Sequence, residues 1–504
     1  MSSIPLRIRT GAPLLAGSLL LGLLLAAGGC ASRDASIAPD APSAGGPSVD
    51  APSAPIVASP RADRNPIAPD ARDLPGDWDL AAGTHVRWIA ELGTETYAGP
   101  TVAAGRVFVG PNNGQPRDAD AADGSLLWQI THAKREPQHL VDWPLQGVCS
   151  TPAATAEAVY YVANDGVLMA VDADGFRDGT NDGVADEPRA GEADADVLWR
   201  LDMPGELGIV PHMASASAPV FFDDPDVGPT VCVNTGHGVG EDGTMAPALA
   251  DRPSFLCVDA RDGAIRWRDA SPGADVLDGQ WSAPAYGVVG GRATVVFAGG
   301  DGRVYGFAPD GRARWRFDAN RHLRQAHEEK GRVLESLVAP PVIADGRVLI
   351  GIGHDPEMGP GEGKLWAIDP GAADDGAALG DDAVAWSYAA DDYSRVLAPV
   401  VVADGVVYSA DVNGILHALD AATGERLWIH DAFAAIWSPP LVADGRVYLA
   451  DVDGDVVVLA AGRAVEERFE ANLDDAIRAA PSADDRTLYV ATRRQLFALA
   501  KPAG

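Results

Sequence analysis

The stretch "ADGVVYSADVNGILHALDAATGERLWIHD", residues 403–431, decides the fold. Short runs of Val, Leu, Ile and Tyr alternate in it with Asp-Gly and Asn-Gly pairs, which is the pattern of β-strands joined in hairpins. The Asn413-Gly414 pair predicts a type I′ turn, because that turn needs positive φ. The next stretch begins in the same way, with "ADGRVYLADVDGDVVVLAA" from Ala443. The chain therefore repeats one small β unit.

The end of the unit predicts how it joins its neighbour. In "ALDAATGERLW", Asp420 and Thr423 can bond backbone amides of a turn, Gly424 lets the chain leave the turn, and Trp428 packs against the next unit. The stretch "CVDARDGAIRW" repeats this arrangement. We interpret these Asp and Trp residues as structural rather than catalytic.

Each unit opens with a small residue followed by proline. These openings lie at Pro100, Pro152, Pro219, Pro284, Pro340, Pro399, Pro439 and Pro481. The shortest spacings between them, 40 and 42 residues, match the period of propeller blades, which is about 40–50 residues.

The aromatic endings give the same count. They are Trp128, Trp199, Trp267, Trp315, Trp386, Trp428 and Phe469, while Trp88 in "HVRWIAEL" precedes the first proline. A strand around Trp88 would complete the last blade and close the ring, which removes exposed sheet edges. The sequence predicts an all-β protein, with residues 81–502 forming a single propeller of eight four-stranded blades.

The N-terminus predicts the compartment. Residues 1–30 have a basic start, an apolar stretch and the ending "AAGGC", which resembles a bacterial lipoprotein signal with Cys30 as the acylated residue. An ordinary signal peptide or a short membrane anchor is the alternative. Residues 31–80 are rich in Pro, Ala, Ser and Asp, and predict a disordered tether. We expect a protein anchored by lipid in the cell envelope, at the outer membrane and facing the periplasm.

Charge excludes one class of partner. Lys and Arg number 39 against 72 Asp and Glu, a net charge of −33, which repels nucleic acid. The expected partners are envelope or outer-membrane proteins, bound on the faces of the propeller, together with the bilayer that holds acylated Cys30.

The pattern Ala-x-Asp-x-x-x-Gly-x-x-x-Trp, in "ALDAATGERLW" and "CVDARDGAIRW", resembles the repeats of the quinoprotein propellers, named for pyrroloquinoline quinone (PQQ). The lipid-anchored, eight-bladed plan is similar to that of the lipoprotein B subunit of the outer-membrane barrel-assembly machinery. In detail, "DADGFRDGTNDG", "LDGQWSAPAYGVVGG" and "GIGHDPEMGPGEGKLWAIDP" resemble PQQ-like propellers of planctomycete type. These likenesses imply the fold and leave the function open, because the family includes dehydrogenases and propellers that bind no quinone.

The quinoprotein resemblance implies features that this sequence lacks. The PQQ-dependent alcohol dehydrogenases have a disulfide between adjacent cysteines over the quinone, whereas the four cysteines here are Cys30, Cys149, Cys232 and Cys257. No C-x-x-C-H haem motif occurs. The Glu/Asn/Asp set that holds Ca²⁺ beneath the quinone is not assigned to particular positions of this sequence. We therefore expect no PQQ. Cys232 and Cys257 fall on neighbouring predicted strands, where they can pair.

The second blade carries an insertion with calcium-like spacing. Its carboxylates and amide recur between glycines, at Asp172, Asp174, Asp178, Asn181 and Asp182. Two interpretations remain open: an Asp-Gly-rich solvated loop, or a structural Ca²⁺ site.

If a small ligand binds, the axial funnel of the propeller is the expected place. The residues that we place at the funnel are His212, His237, Trp281, His354 and Trp437. Histidines there could bind a metal, although single ones are more often structural groups.

Two functions follow. The favoured one is a non-catalytic lipoprotein scaffold that binds envelope proteins. The alternative is a PQQ- or metal-dependent periplasmic oxidoreductase of the dehydrogenase type.

Overall fold

The structure is a computed structural model, and it describes residues 60–111, 117–132, 147–184, 187, 189–212, 216–240, 245–330, 333–354 and 361–502. Cys30, the rest of the predicted signal peptide and the first part of the predicted tether lie outside these ranges. All of the described residues belong to one structural unit.

Eight antiparallel sheets follow one another along the chain. Two strands precede the repeats, β1 (Ile67–Ala68) and β2 (Val86–Glu91). Blade 1 contains β3 (Thr101–Ala103), β4 (Arg106–Val109), β5 (Arg117–Asp120) and β6 (Leu126–Gln129). Blade 2 contains β7 (Ala153–Ala154), β8 (Ala158–Val162), β9 (Val167–Asp172) and β10 (Val197–Asp202). Blade 3 contains β11 (Val220–Asp224), β12 (Gly228–Asn234), β13 (Phe255–Asp259) and β14 (Ile265–Asp269).

The other blades repeat the plan. Blade 4 contains β15 (Ala285–Val289), β16 (Arg292–Ala298), β17 (Arg303–Phe307) and β18 (Ala313–Asp318). Blade 5 contains β19 (Val342–Ala344), β20 (Arg347–Ile352), β21 (Lys364–Ile368) and, after the short β22 (Ala377–Ala378), β23 (Val384–Tyr388). Blade 6 contains β24 (Val401–Ala403), β25 (Val406–Ala410), β26 (Ile415–Asp420) and β27 (Arg426–Asp431). Blade 7 contains β28 (Leu441–Ala443), β29 (Arg446–Ala450), β30 (Asp455–Ala460) and β31 (Glu467–Asn472). Blade 8 contains β32 (Ser482–Ala483), β33 (Thr487–Ala491) and β34 (Gln495–Ala500).

The predicted all-β, eight-bladed propeller is confirmed. Strand β2 pairs antiparallel with β34 and is the fourth strand of blade 8. Two sheets gain a fifth strand by parallel pairing: β1 pairs with β28 of blade 7, and β22 pairs with β18 of blade 4. Each innermost strand begins within two residues of a proline, as the spacing of the prolines predicts.

Helices are short and few in the described ranges. They are α1 (Met203–Leu207), α2 (Arg324–Lys330) and the 3₁₀ turns Gly175–Asp178, Gly273–Asp275 and Asp381–Ala383. None of the helices in the described part of the chain has the length and hydrophobicity to cross a bilayer.

The two faces of the ring carry different connections. Loops that lead into the innermost strands, and turns between second and third strands, lie on one face, which we call the entry face. Turns between first and second strands, and between third and fourth strands, lie on the opposite face.

The type I′ prediction was wrong at Asn413-Gly414. There only the glycine has positive φ, +92°, and Asp411 N–H donates to Ile415 O at 3.0 Å. Asp411 Oδ1 accepts the amides of Asn413 and Ile415, at 2.9 and 3.1 Å, so the side chain stabilises a longer turn with one extra residue. Both central residues have positive φ instead at first-to-second-strand turns of the opposite face: Ala104-Gly105, Gly290-Gly291, Asp345-Gly346, Asp404-Gly405 and Asp444-Gly445.

The tryptophans join neighbouring blades, as predicted. Trp428 Nε1 in blade 6 donates to Gly462 O of blade 7 at 3.0 Å, and Asp420 Oδ1 accepts the amides of Ala422 and Thr423 at 3.0 Å. The same indole-to-carbonyl bond, at 2.9–3.1 Å, joins Trp88 to Ala121, Trp128 to Ala173, Trp199 to Ala260, Trp267 to Pro309 and Trp386 to Ala421. Trp315 is buried in the hydrophobic cluster that blades 4 and 5 share, and Phe469 makes an edge-to-face contact with Trp78.

The predicted tether reaches too far along the chain. Residues 60–80 are packed against the propeller, with Leu74 and Trp78 fully buried between blades 7 and 8. We call residues 60–74 the axial strap, because this segment lines the central channel. The tether prediction failed for residues 60–80 because hydrogen bonds to strands far away in the sequence, rather than local hydrophobicity, hold this segment in place.

Cys232 and Cys257 form a disulfide in blade 3. They lie directly opposite each other on β12 and β13, with their Cα atoms 4.1 Å apart, and both are fully buried. Cys149 is a free thiol. A buried disulfide between adjacent strands fits a protein that folds in an oxidising compartment.

Candidate functional site

A cavity of about 660 Å³ lies on the axis of the propeller. Residues at the starts of the innermost strands of all eight blades line it, and alanine and proline are the commonest of them. Aromatic rings and one cation stand where the cavity meets the entry face: Tyr97, Trp281, Trp437 and Arg478. The cavity is therefore mainly apolar, with polar groups at its ends.

The axial strap lines the other end of this cavity. Its backbone carbonyls accept hydrogen bonds from successive innermost strands: Ala62 O from Tyr286, Asp63 O from Ile343 and Pro66 O from Val442, at 2.7–3.1 Å. The strap thus runs from blade 4 to blade 7 along the inner wall, occupying backbone positions that a bound peptide could otherwise use.

Two buried side chains fasten the strap. Arg64 Nε donates to Pro284 O at 2.7 Å, and its Nη2 donates to Ala218 O and Pro219 O at 2.7 and 2.6 Å. Asn65 makes a two-way pair with the backbone of Val402, at 2.8 and 2.9 Å. Burial lowers the pKa of the Arg64 guanidinium to about 9, so it remains charged at neutral pH. Three of its five N–H donors are bonded to these carbonyls.

Arg478, the cation at the entry face, also has partners within the protein. Arg478 donates to Glu95 and lies 5.5 and 5.7 Å from the ring centroids of Tyr97 and Trp437. The Cys149 thiol also lines the cavity, and burial raises its pKa to about 12. A thiol with that pKa is a poor nucleophile at neutral pH.

Of the five residues predicted at the funnel, Trp281 and Trp437 line the cavity. The three histidines do not line it, which corrects that part of the prediction. His237 Nδ1 accepts from Val210 N at 3.0 Å and its Nε2 bonds Leu249 O at 2.9 Å, so both ring nitrogens are satisfied and burial lowers its pKa.

The other two histidines pair with carboxylates. His212 Nε2 lies 3.0 Å from Asp278, and its Nδ1 lies 2.9 Å from Val239 O. His354, 3% exposed, lies with its ring against the Glu335 carboxylate, which also accepts the amides of His354 and Glu362, each at 3.0 Å. These contacts hold loops of the entry face together, which is a structural role.

The predicted calcium ligands of blade 2 do not converge on one point. Asp172 accepts the amide of Asp174 at 2.6 Å, and Asp174 pairs with Arg106 of blade 1. Asp178 and Asp182 both approach the Thr180 hydroxyl, at 2.7 and 2.9 Å. The last predicted ligand, Asn181, donates weakly to Val184 O at 3.4 Å. Within the described ranges, no group of three or more His, Cys, Asp or Glu is arranged to hold a metal ion.

Sequence reasoning missed the strap, Arg64, Tyr97 and Arg478. Arg64 and Asn65 lie in a segment without strand-like periodicity, and their partners are more than 150 residues away. Arg478 occupies the position in blade 8 that Trp437 occupies in blade 7. Each of them lies four residues before the innermost strand of its blade. Comparing that position between repeats could have found it.

Comparison with known proteins gives the family. A profile described as outer membrane protein assembly factor BamB matches residues 78–221, 186–372 and 362–500. The chain belongs to this BamB-like family. No curated protein matches the chain.

Solved structures similar to this BamB-like chain show the same fold. BamB from Moraxella catarrhalis is 14% identical, with a TM-score of 0.50, covering 82% of this chain and 98% of that one. A europium-containing methanol dehydrogenase is 11% identical, with a TM-score of 0.54, covering 87% and 96%. The computationally designed Ika8 protein is 13% identical, with a TM-score of 0.50, covering 87% and 99%. At these identities the likeness concerns the fold alone.

The cavity is a poor fit for PQQ, the cofactor for which the repeats are named. PQQ is a planar quinone with three carboxylates, so its site needs cations with free donors. Arg64 already donates to three backbone carbonyls, and Arg478 is held by Glu95 and two rings. The lining near the strap also carries Asp70, Asp484 and Asp485, which would repel such an anion.

Proposed function

We propose that this BamB-like protein is an envelope lipoprotein, anchored through acylated Cys30, whose propeller binds other proteins and catalyses no reaction. The observation that carries the proposal is the family match over residues 78–500. The family is described as an outer membrane protein assembly factor, and such a factor acts through contacts with other proteins. The Cys232–Cys257 disulfide supports export, because disulfides persist in oxidising compartments.

The chemistry of the cavity also supports binding over catalysis. Its cations Arg61, Arg64 and Arg478 each have partners, and its thiol has a raised pKa. The predicted histidines lie outside the cavity and are used structurally. Catalysis usually needs an acid, base or nucleophile whose reactive atom is accessible to substrate. The walls of the cavity offer apolar surface and aromatic edges instead, which suit side chains of a protein partner.

The decisive experiment separates a scaffold from a quinoprotein oxidoreductase, the alternative function. Purified protein is titrated with PQQ in the presence of Ca²⁺ and assayed for dye-linked alcohol oxidation. We expect neither stoichiometric binding nor turnover. A one-to-one complex at micromolar affinity, or measurable oxidation, would replace the scaffold by the enzyme.

The anchor is tested separately. Cys30→Ser should abolish incorporation of labelled fatty acid, because no other thiol lies at the end of the predicted signal. The variant should be left unprocessed or be released from the membrane fraction. Label retained on the variant would contradict acylation at Cys30 and leave the binding function to be tested by itself.

A further inference from the structure

One side chain on the entry face is both strained and exposed. Phe433, in the loop between β27 and β28, has φ +59° and is 90% exposed, whereas the other exposed large hydrophobic residues range from 37% to 59%. A left-handed backbone is strained at a bulky non-glycine residue. Exposing almost the whole of a phenyl ring adds a further cost. Nothing within the described chain offsets these costs by packing on the ring.

The repeat in blade 8 shows that the fold does not need this phenylalanine. There the same turn is built with Asp474, whose φ is +61°. Asn472 Oδ1 accepts the Asp474 amide at 2.7 Å, as Asp431 Oδ1 accepts that of Phe433 at 2.8 Å. Aspartate tolerates left-handed φ because its short polar side chain bonds locally.

The second contact of the turn is also repeated. Ala432 N–H donates to Gly414 O at 2.9 Å, and the equivalent Leu473 N–H donates to Gly454 O at 2.8 Å. The two loops therefore share their backbone structure. They differ in what they present to solvent: an aspartate in blade 8 and a phenyl ring in blade 7.

The surroundings of Phe433 are acidic and polar. Its loop lies between the second-to-third-strand turns of blades 6 and 7, bonded to Gly414 of the first and, through Ala435 O, to Val452 of the second at 3.0 Å. Two aspartates on these elements are exposed, Asp431 and Asp453, and Asn413 is an exposed polar residue beside them in the same loops. Neither aspartate forms an ion pair with a residue in the described ranges.

We infer that Phe433 is the anchor of a protein-binding surface on the entry face, and that the partner offers an apolar pocket bordered by Lys or Arg. The inference rests on the proposed function, and it names the chemistry of the partner. Buried aromatic anchors supply much of the binding energy of protein interfaces, and a rim of opposite charge speeds and orients the encounter. The strain is thus retained for binding rather than for folding.

The test begins with a variant that the fold already accepts. Phe433→Asp copies the Asp474 turn, and should melt at or above the temperature of the parent, because strain is relieved and no packing is lost. Val288→Asp is the matched control, since Val288 is 58% exposed at the other end of an innermost strand, next to the opposite face. A lower melting temperature for Phe433→Asp alone would give the ring a role in folding and overturn the inference.

Binding is then measured with a partner identified at this site. A photo-reactive benzoyl-phenylalanine replaces Phe433, Trp281 or Val288, one at a time, in the native host. The adduct at position 433 is identified by mass spectrometry, and that protein is purified. Its affinity for the Phe433→Asp variant should fall about 30-fold, the loss expected of an interface hot spot. Affinity for Val288→Asp should not change, and salt should weaken the complex with the parent.

Three results would contradict the inference: an affinity that Phe433→Asp leaves unchanged, an affinity that salt strengthens, or adducts at other entry-face positions such as Trp281 and none at 433. In the last case the proposed scaffold function stands, and only this surface is wrong. If no position on either face gives an adduct, the proposed function itself fails.

Discussion

At the scale of the residue, the eleven-residue repeat can be explained atom by atom. Asp420 caps the turn, Gly424 has φ +74°, and Trp428 bonds the next blade. The glycine has a second role, since a Cβ on Gly424 would lie 2.5 Å from the Trp386 ring of the preceding blade. The same close approach joins Gly124 to Trp88, Gly175 to Trp128, Gly263 to Trp199 and Gly311 to Trp267.

This second role could not be predicted from the repeat itself. The spacing of Asp, Gly and Trp predicts a capped turn and an aromatic ending, and both are confirmed. The contact between Gly424 and Trp386, however, joins two copies of the repeat, and a single copy contains no signal for it. The requirement for glycine therefore comes from packing between blades as well as from φ.

The first prediction concerns this contact between blades. Trp428→Ala should destabilise the protein by about 3–5 kcal/mol, because the ring fills the space between blades 6 and 7. Trp428→Phe is the matched variant, because it keeps most of the packing and loses the bond to Gly462 O. We expect the lost hydrogen bond to lower the free energy of unfolding by about 1 kcal/mol, in addition to the loss caused by the smaller ring. Urea unfolding measures both. Equal losses for the two variants would show that the hydrogen bond, and not the ring, holds the blades.

The second prediction concerns a buried carboxyl between blades 1 and 2. Asp118 is fully buried, and burial raises its pKa to about 8, although Arg106 lies 4.0 Å away. Because the folded-state pKa is raised, the folded protein binds the proton more tightly than the unfolded chain. Stability is therefore lost as pH rises from about 4, the ordinary value, to about 8.

Asp118→Asn removes this titration and keeps the shape of the side chain. We expect the melting temperature of the parent to fall more steeply between pH 5 and pH 9 than that of the variant. Asp174→Asn, an exposed carboxylate near the same arginine, is the control and should keep the steep fall. Parallel curves for the parent and Asp118→Asn would show that Asp118 is ionised in the folded protein.

At the scale of the element, strands were easier to predict than their connections. Alternation of apolar residues and the prolines located all eight innermost strands. The type I′ prediction failed at Asn413-Gly414 because the Asp411 carboxylate bonds two amides of the turn and stabilises one extra residue. The Asn-Gly pair alone carries no information about Asp411, which lies two residues before it in the sequence.

The third prediction concerns the blade 2 insertion. Its carboxylates already accept hydrogen bonds within the loop or pair with Arg106, so we favour the solvated loop over the calcium site. Melting curves with excess Ca²⁺ and with chelator should coincide, because a ligand stabilises a protein only by binding its folded state. A higher melting temperature in Ca²⁺ that disappears in Asp178→Asn with Asp182→Asn would establish the metal site instead.

At the scale of the whole molecule, the axial strap could not be predicted from the sequence. The ring itself follows from counting repeats, which is local information. The strap has few large apolar residues. Its fixed position depends on Arg64, Asn65 and backbone carbonyls, which together bond to five different blades. As a result the chain that leads from the predicted anchor enters the ring through its centre before β2 joins the outer edge of blade 8.

The last prediction asks whether Arg64 holds the strap in place. Arg64→Ala removes three bonds to carbonyls of blades 3 and 4, and charge-assisted bonds of this kind are worth about 1.5–3 kcal/mol each, although they are not additive. We expect a loss of about 2–4 kcal/mol. Arg64→Lys should recover only part of it, because an ammonium group cannot reproduce the planar fork that reaches two blades.

Hydrogen exchange shows whether the loss is local to the strap. In Arg64→Ala the amides of Tyr286, Ile343 and Val442, which the strap carbonyls cover, should exchange faster. Amides of the outer strands should keep the protection of the parent, because their partners lie within the same blade. Arg61→Ala is the matched control: Arg61 belongs to the same strap but is exposed, and within the described ranges its ion pair is with Asp63 of the strap itself, so neither stability nor exchange should change. Uniformly faster exchange in Arg64→Ala would mean that the strap and the ring unfold together, and that the central segment is as much a part of the propeller as its blades.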